Sequence, residues 1–128
     1  MSDYRRLATW RKSYRLVLAV YRASEGFPDS ERFGLTSQAR RAAVSVVANI
    51  AEGAGRGSER ELIRFLWISR GSAIELAVLL RLARDLGYLD PAEASPLLKH
   101  ADELGRMITG LLKALGAITS RQSPPSND

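Results

Sequence analysis

Apolar residues return at Leu7, Trp10, Tyr14, Val17, Leu18 and Tyr21, the three-and-four spacing of one helical face. The spacing predicts a first helix over Tyr4–Glu25 with that row turned to the core. Gly26-Phe27-Pro28-Asp29-Ser30 interrupts it, because proline lacks an amide hydrogen and glycine readily takes the left-handed position after a helix. A second helix is expected from Leu35 to Glu52, stopped by Gly53-Ala54-Gly55-Arg56-Gly57. Ser58-Glu59-Arg60-Glu61 then has the form of a capping box, in which the Ser58 hydroxyl accepts from the Glu61 amide and the Glu61 carboxylate reaches back. The third helix follows over Glu59–Leu86, about 42 Å at 1.5 Å per residue, and Gly87 ends it. Asp90-Pro91 supplies a cap and a first-turn proline for a fourth helix with an apolar face of Leu97, Ala101, Leu104, Met107, Ile108, Leu111, Leu115 and Ile118. Pro96 removes a backbone hydrogen bond further in, so the regular helix is expected to start at Ser95-Pro96 or to bend there.

No strand-like alternation or internal repeat competes with this pattern. The connections are short, which favours antiparallel neighbours. The expectation is an all-α, up-down-up-down four-helix bundle over residues 1–119, followed by a disordered tail over 120–128 with little to bury.

Two helices carry more apolar surface than one bundle needs. Leu62, Phe65, Leu66, Ser69, Ala73, Leu76, Leu80 and Ala83 form the expected core row of the third helix. Ile63, Trp67, Ile74 and Val78 form a second row on roughly the opposite side, with Gly71 among them to let another backbone approach. A helix apolar nearly all round should be covered all round, so this row is assigned to self-association. In the second helix, Gln38, Arg41, Ser45, Asn49 and Glu52 make a narrow polar seam, either the lining of a groove in an assembly or a hydrogen-bond network that fixes register.

Composition narrows the chemistry. The chain has 128 residues and no cysteine, which excludes disulfides, thiolate metal sites and cysteine nucleophiles. There is neither a long apolar run nor a signal-peptide pattern, and the expected location is the cytoplasm. The net charge is +5, and it is uneven: residues 1–70 hold 13 basic and 7 acidic side chains, residues 71–128 hold 6 and 7. Excess charge in one half points to an anionic partner, RNA or DNA before a membrane surface. The candidate phosphate contacts are Arg11, Arg15 and Arg22, in one row with Tyr4; Arg40 and Arg41 near the second helix's start, where the helix dipole disfavours cations; and Arg56 and Arg60 around the glycine-rich connector. That connector is neither a P-loop nor a dinucleotide fingerprint, since a helix precedes it and lysine is absent. His100 is alone and is expected on the surface, and no metal-ligand spacing exists. No catalysis, metal or cofactor is expected.

The stretch from Arg32-Phe33-Gly34-Leu35-Thr36-Ser37-Gln38 through Ala39-Arg40-Arg41-Ala42-Ala43-Val44-Ser45, followed by Asn49-Ile50-Ala51-Glu52-Gly53 and Gly55-Arg56-Gly57-Ser58, resembles the four-helix-bundle proteins associated with intervening sequences of bacterial 23S rRNA. That family includes the accessory variability determinant proteins of diversity-generating retroelements. Leu7 with Trp10, Phe65-Leu66, Gly71-Ser72, Gly87-Tyr88-Leu89 and Leu104-Gly105-Arg106-Met107 extend the resemblance over nearly the whole chain, although Val47 stands where the family often has proline. The resemblance implies a non-enzymatic homopentameric barrel, with a nucleic acid and a reverse transcriptase as possible partners. Two readings stand side by side: a nucleic-acid-associating accessory protein using an arginine-rich surface, and an oligomeric protein-interaction scaffold whose arginines pair between subunits.

Overall fold

The computed structural model describes residues 4–118. It contains α1 (Tyr4–Ser24), a 3₁₀ turn over Asp29–Glu31, α2 (Leu35–Gly55), α3 (Glu59–Asp85) and α4 (Pro91–Ala114). Each helix packs on the one before and after it, and α1 closes against α4, whereas the diagonal pairs do not meet. The result is a four-helix bundle with the α1–α2 and α3–α4 connections at one end, where the Phe27 and Tyr88 rings lie 6.3 Å apart, and the α2–α3 turn at the other. The tail over 120–128 lies outside the described residues.

The core is mostly Leu, Ile, Val and Ala, with Leu66, Leu76, Leu80, Leu104, Ile108 and Leu112 fully buried. Truncating such a leucine to alanine costs about 2–5 kcal/mol. The α3 row behaves as its spacing predicts, and buried Ser69 donates its hydroxyl to the Val46 carbonyl at 2.8 Å, linking α3 to α2. In α4, Met107, Leu115 and Ile118 are only half-buried; the last two lie beyond the helix end and still pack on the core. Pro96 neither delays nor ends α4, which starts at Pro91 with the Asp90 carboxylate accepting from the Ala92 amide at 2.8 Å. Pro96 is exposed and close to the helix start, so water can serve the carbonyl it leaves unpaired.

The face of α1 differs from the expectation. Its buried residues are Thr9, Ser13, Leu16, Val20 and Ser24, while Leu7, Tyr14, Leu18 and Tyr21 are exposed and Trp10 and Val17 half-buried. Small hydroxyl residues can occupy the inner face because each bonds within its own helix: Thr9 to the Arg5 carbonyl at 2.7 Å, Ser13 to the Trp10 carbonyl at 2.6 Å and Ser24 to the Tyr21 carbonyl at 3.2 Å. With these small residues inward, the large apolar row is displaced outward.

The end of α2 also differs. The helix runs through Gly53 to Gly55 without a break at Val47, and the turn falls at Gly57, whose φ of +78° favours glycine. Gly53 does not stop the helix; it allows contact, since a Cβ there would sit 2.8 Å from the Phe65 Cβ. Ser58 caps α3 as expected, accepting from the Glu61 amide at 3.2 Å. The Glu61 carboxylate turns the other way, to Arg64, at 3.0 and 3.1 Å.

Candidate nucleic-acid interface

The structure separates the candidate arginines instead of gathering them. Arg11, Arg15 and Arg22 are exposed on one side of α1, beside the outward apolar row, and form no ion pair with a described residue. The Tyr4 side chain lies outside the described part of the chain. Arg40 and Arg41 stand near the first turns of α2, and Arg56 follows its end, about 24 Å away at 1.5 Å per residue. The seven side chains therefore occupy a long side and two opposite ends of the bundle.

Their local partners differ as well. Arg40 is half-buried: its Nε donates to the Ser24 hydroxyl at 2.8 Å, its Nη2 to the Tyr21 carbonyl at 3.3 Å, and its guanidinium lies 4.6 Å from the Tyr21 ring centre. The cation that opposes the α2 dipole thus ties α2 to the last turn of α1 through hydrogen bonds, not through an ion pair. Arg41 is exposed and forms no ion pair with a described residue. At the other end Arg56 pairs with Glu52 at 2.9 Å, and Arg56 and Arg64 both lie over the Phe65 ring, 5.3 and 4.4 Å from its centre. Arg60 is exposed there.

A cavity of about 750 Å³ lies at the α1–α2 end, lined by Tyr21, Arg32, Phe33, Ser37, Arg40 and Arg41 among others, with no acidic side chain among its described lining residues. Arg32 and Phe33 are functional candidates that the sequence pattern does not single out, because a lone aromatic in a connector has no periodicity. Phe33 is 88% exposed, with the Arg32 guanidinium 5.3 Å from its ring centre. The adjacent Arg-Phe pair was the available signal.

The polar seam of α2 divides. Ser45 and Asn49 are half-buried: the Ser45 and Ser72 hydroxyls, 2.7 Å apart, join α2 to α3, and within α2 Asn49 Nδ2 donates to the Ser45 carbonyl and hydroxyl at 2.7 and 3.0 Å. Gln38, Arg41 and Glu52 at its ends are exposed. On α3, Trp67, Ile74 and Val78 are 41%, 52% and 55% exposed, Gly71 is exposed and Ile63 half-buried. Arg70 crosses beside this row, its guanidinium 5.6 Å from the Trp67 ring centre and its Nε donating to Thr109 at 3.0 Å. The row borders a second cavity of about 540 Å³ between α3 and α4.

His100 is half-buried against α1 instead of lying free on the surface, its Nε2 donating to the Lys12 carbonyl at 3.0 Å, while the Lys12 ammonium pairs with Glu103 at 2.8 Å. Burial, ahead of every other influence, lowers the His100 pKa from its ordinary 6.5; the Lys12 hydrogen bond lowers that of Glu103 from 4.5. This is a helix-to-helix clasp. Among the described residues no cluster of three or more His, Cys, Asp or Glu could hold a metal ion, and no helix is long and apolar enough to cross a membrane.

Helix order, packing and the Arg32–Ser58 motifs define a four-helix-bundle protein of the kind the sequence resembles. The sequence profile of the 23S rRNA-intervening sequence protein family matches residues 5–110, and the chain belongs to that family. The fold is similar to the crystal structure of a protein of unknown function from the S23 ribosomal protein family of Bacteroides thetaiotaomicron, with 19% identity, 85% of this chain and 98% of that chain covered, and a TM-score of 0.79. At that identity the likeness is one of fold. No curated protein matches the sequence.

Proposed function

We propose that the protein is a non-enzymatic, homo-oligomeric accessory protein that associates with RNA or DNA through exposed arginines. The observation that carries this reading is the α1 row of Arg11, Arg15 and Arg22, three exposed guanidiniums without an ion-pair partner among the described residues. Arginine takes phosphate bidentately, and each such contact displaces a counterion, so affinity should fall log-linearly with salt. Arg41 and Arg60 would add to the row, whereas Arg40 and Arg56 are already engaged. The test titrates nuclease-treated full-length protein into labelled RNA, single-stranded DNA and duplex DNA across a range of salt. Replacing Arg11, Arg15 and Arg22 with Ser should weaken binding and reduce the salt slope by about 3; an unchanged slope removes the row from the interface.

Self-association is supported by two unlike apolar rows on helices that stand diagonally in the bundle: Leu7, Tyr14 and Leu18 on α1, and Trp67, Ile74 and Val78 on α3. A ring, such as the pentamer expected of the family, needs two different complementary patches on each subunit. Tyr14→Glu and Trp67→Glu should each reduce the mass seen by light scattering. Mixed in equal amounts, the two variants should form a heterodimer through the one intact pair of patches. If the mixture stays monomeric, these rows do not meet each other. The same exposed rows favour, as a second reading, a scaffold that docks another protein, a reverse transcriptase among the candidates. Partners retained after nuclease and high salt would support that reading.

A further inference from the structure

We infer that the cavity beside Phe33 is a pocket for an unpaired nucleotide of a single-stranded nucleic acid, its base stacked on the Phe33 ring and its phosphate held by Arg41. The inference rests on the nucleic-acid reading above and narrows it to one site and one class of strand.

Phe33 is the most exposed large apolar residue described in the chain, and it stands between the 3₁₀ turn and the first residue of α2. An aromatic ring left in water forgoes the stabilisation that burial would give it, so its position is explained when another flat group covers it. The cavity it lines carries three arginines and no described acid. Glu31, two residues before Phe33, directs its carboxylate to the Leu35 amide at 3.5 Å and is not part of the lining. Arg40 is fixed by Ser24 and Tyr21 and forms a rigid wall, whereas Arg41 has no ion pair among the described residues and can turn to a phosphate. Thr36 and Ser37 also line the space and bring hydroxyls to it that a base edge can use. The space, about 750 Å³, is an open groove, so a base can enter it from solvent without displacing any element.

The pairing of a flat exposed ring with unneutralised guanidiniums selects the ligand. An acidic peptide would satisfy the arginines but leave the ring without a role. A base inside a duplex is already stacked on both faces and cannot reach the ring, whereas a base in a single strand or loop can.

The test measures the anisotropy of a labelled 12-nucleotide oligouridine and of a labelled fully paired RNA duplex on titration with the full chain, at several salt concentrations. Phe33→Ala should weaken oligouridine binding at least about fivefold, the lower range for loss of one base–aromatic stack, and leave duplex binding within about twofold. Phe33→Trp should restore the oligouridine affinity, and Arg41→Ser should weaken it. Phe33 touches little of the core, so the variants should fold, which circular dichroism checks. Equal effects of Phe33→Ala on both probes, or none, overturn the pocket while salt-dependent binding preserves the broader reading. If the unaltered protein binds neither probe, both fail together. A lower oligomer mass for Phe33→Ala, seen by light scattering, would assign the ring to a contact between copies and overturn the pocket.

Discussion

The two ends of the bundle hold arginines and aromatic rings in similar numbers and put them to different uses. At the α2–α3 end, Phe65 is buried, Arg56 and Arg64 cover it, and Glu52 and Glu61 pair with these two, leaving exposed Arg60 without an ion pair among the described residues. At the α1–α2 end, Phe33 is exposed, Arg41 has no ion pair among the described residues, and the cavity between them has no described acid. The sequence excess of positive charge in residues 1–70 is the same for both. What separates them is whether a carboxylate stands three or four residues away on the same helix, within reach of the guanidinium. Charge becomes available to a ligand only where the fold has not already paired it.

Stability should divide the ends most strongly. Gly53→Ala places a methyl 2.8 Å from the Phe65 Cβ, an atom held close to the backbone, so α2 and α3 must separate. Overpacking of this kind costs about 1–3 kcal/mol. Gly55→Ala, two residues on, meets nothing within 4 Å and should be neutral or slightly stabilising, because alanine favours helix over glycine. Phe33→Ala at the other end should also leave the chemical-denaturation midpoint nearly unchanged. A Gly53→Ala protein as stable as the parent would show that the α2–α3 contact can yield at no cost.

Binding should divide them next, in the opposite sense. Arg41→Gln is expected to weaken oligouridine binding about fivefold and lower the salt slope by about 1, while Arg56→Gln changes affinity less than about twofold. Equal losses would mean that pairing with Glu52 does not keep Arg56 from the ligand.

The sequence pattern made the element order, the α3 core row and both real N-caps readable, because these depend on local spacing and on side chains that bond within four residues. It misled on α1 for a reason that is not local. Large apolar residues at helical spacing are ordinarily the buried face, yet Thr9 and Ser13 are buried and Tyr14 and Leu18 are not. Only the distance to α2 and α4 decides between them. Gly53 was similarly ambiguous: in a glycine-rich run, a residue that permits close packing looks the same as one that ends a helix. Arg40 and Arg41 were identified as a pair, but the structure alone shows that Ser24 and Tyr21 occupy the first and leave the second.

The middle of the bundle supplies a control for these end effects, since His100 and Lys12 join α4 to α1 away from either cavity. The folded-state pKa of His100 lies below 6.5, so in the interval between that value and 6.5 the unfolded chain binds more protons. Stability should therefore rise with pH across this interval and be lost as pH falls through 6.5. His100→Gln should flatten that part of the denaturation curve without changing RNA affinity at neutral pH. Glu103 adds stability in the same direction at lower pH, lost as pH falls below about 4.5.

The smallest expected effect tests the comparison most directly, because it asks whether the α2–α3 end can be made to resemble the other. Glu52→Gln with Glu61→Gln keeps the side-chain shapes and removes both carboxylates that engage Arg56 and Arg64. The Ser58 cap survives, since its donor is the Glu61 backbone amide. Loss of an acidic side chain from the first turn of α3 should cost about 0.3–1 kcal/mol. Freed guanidiniums should raise RNA affinity about two- to threefold at low salt, in keeping with the modest energy of an exposed ion pair. The gain should vanish when Arg56→Gln and Arg64→Gln are both added. If affinity does not move, neutralisation is not what silences this end; position is, and the bound strand runs along α1 and the Phe33 cavity without reaching the α2–α3 turn.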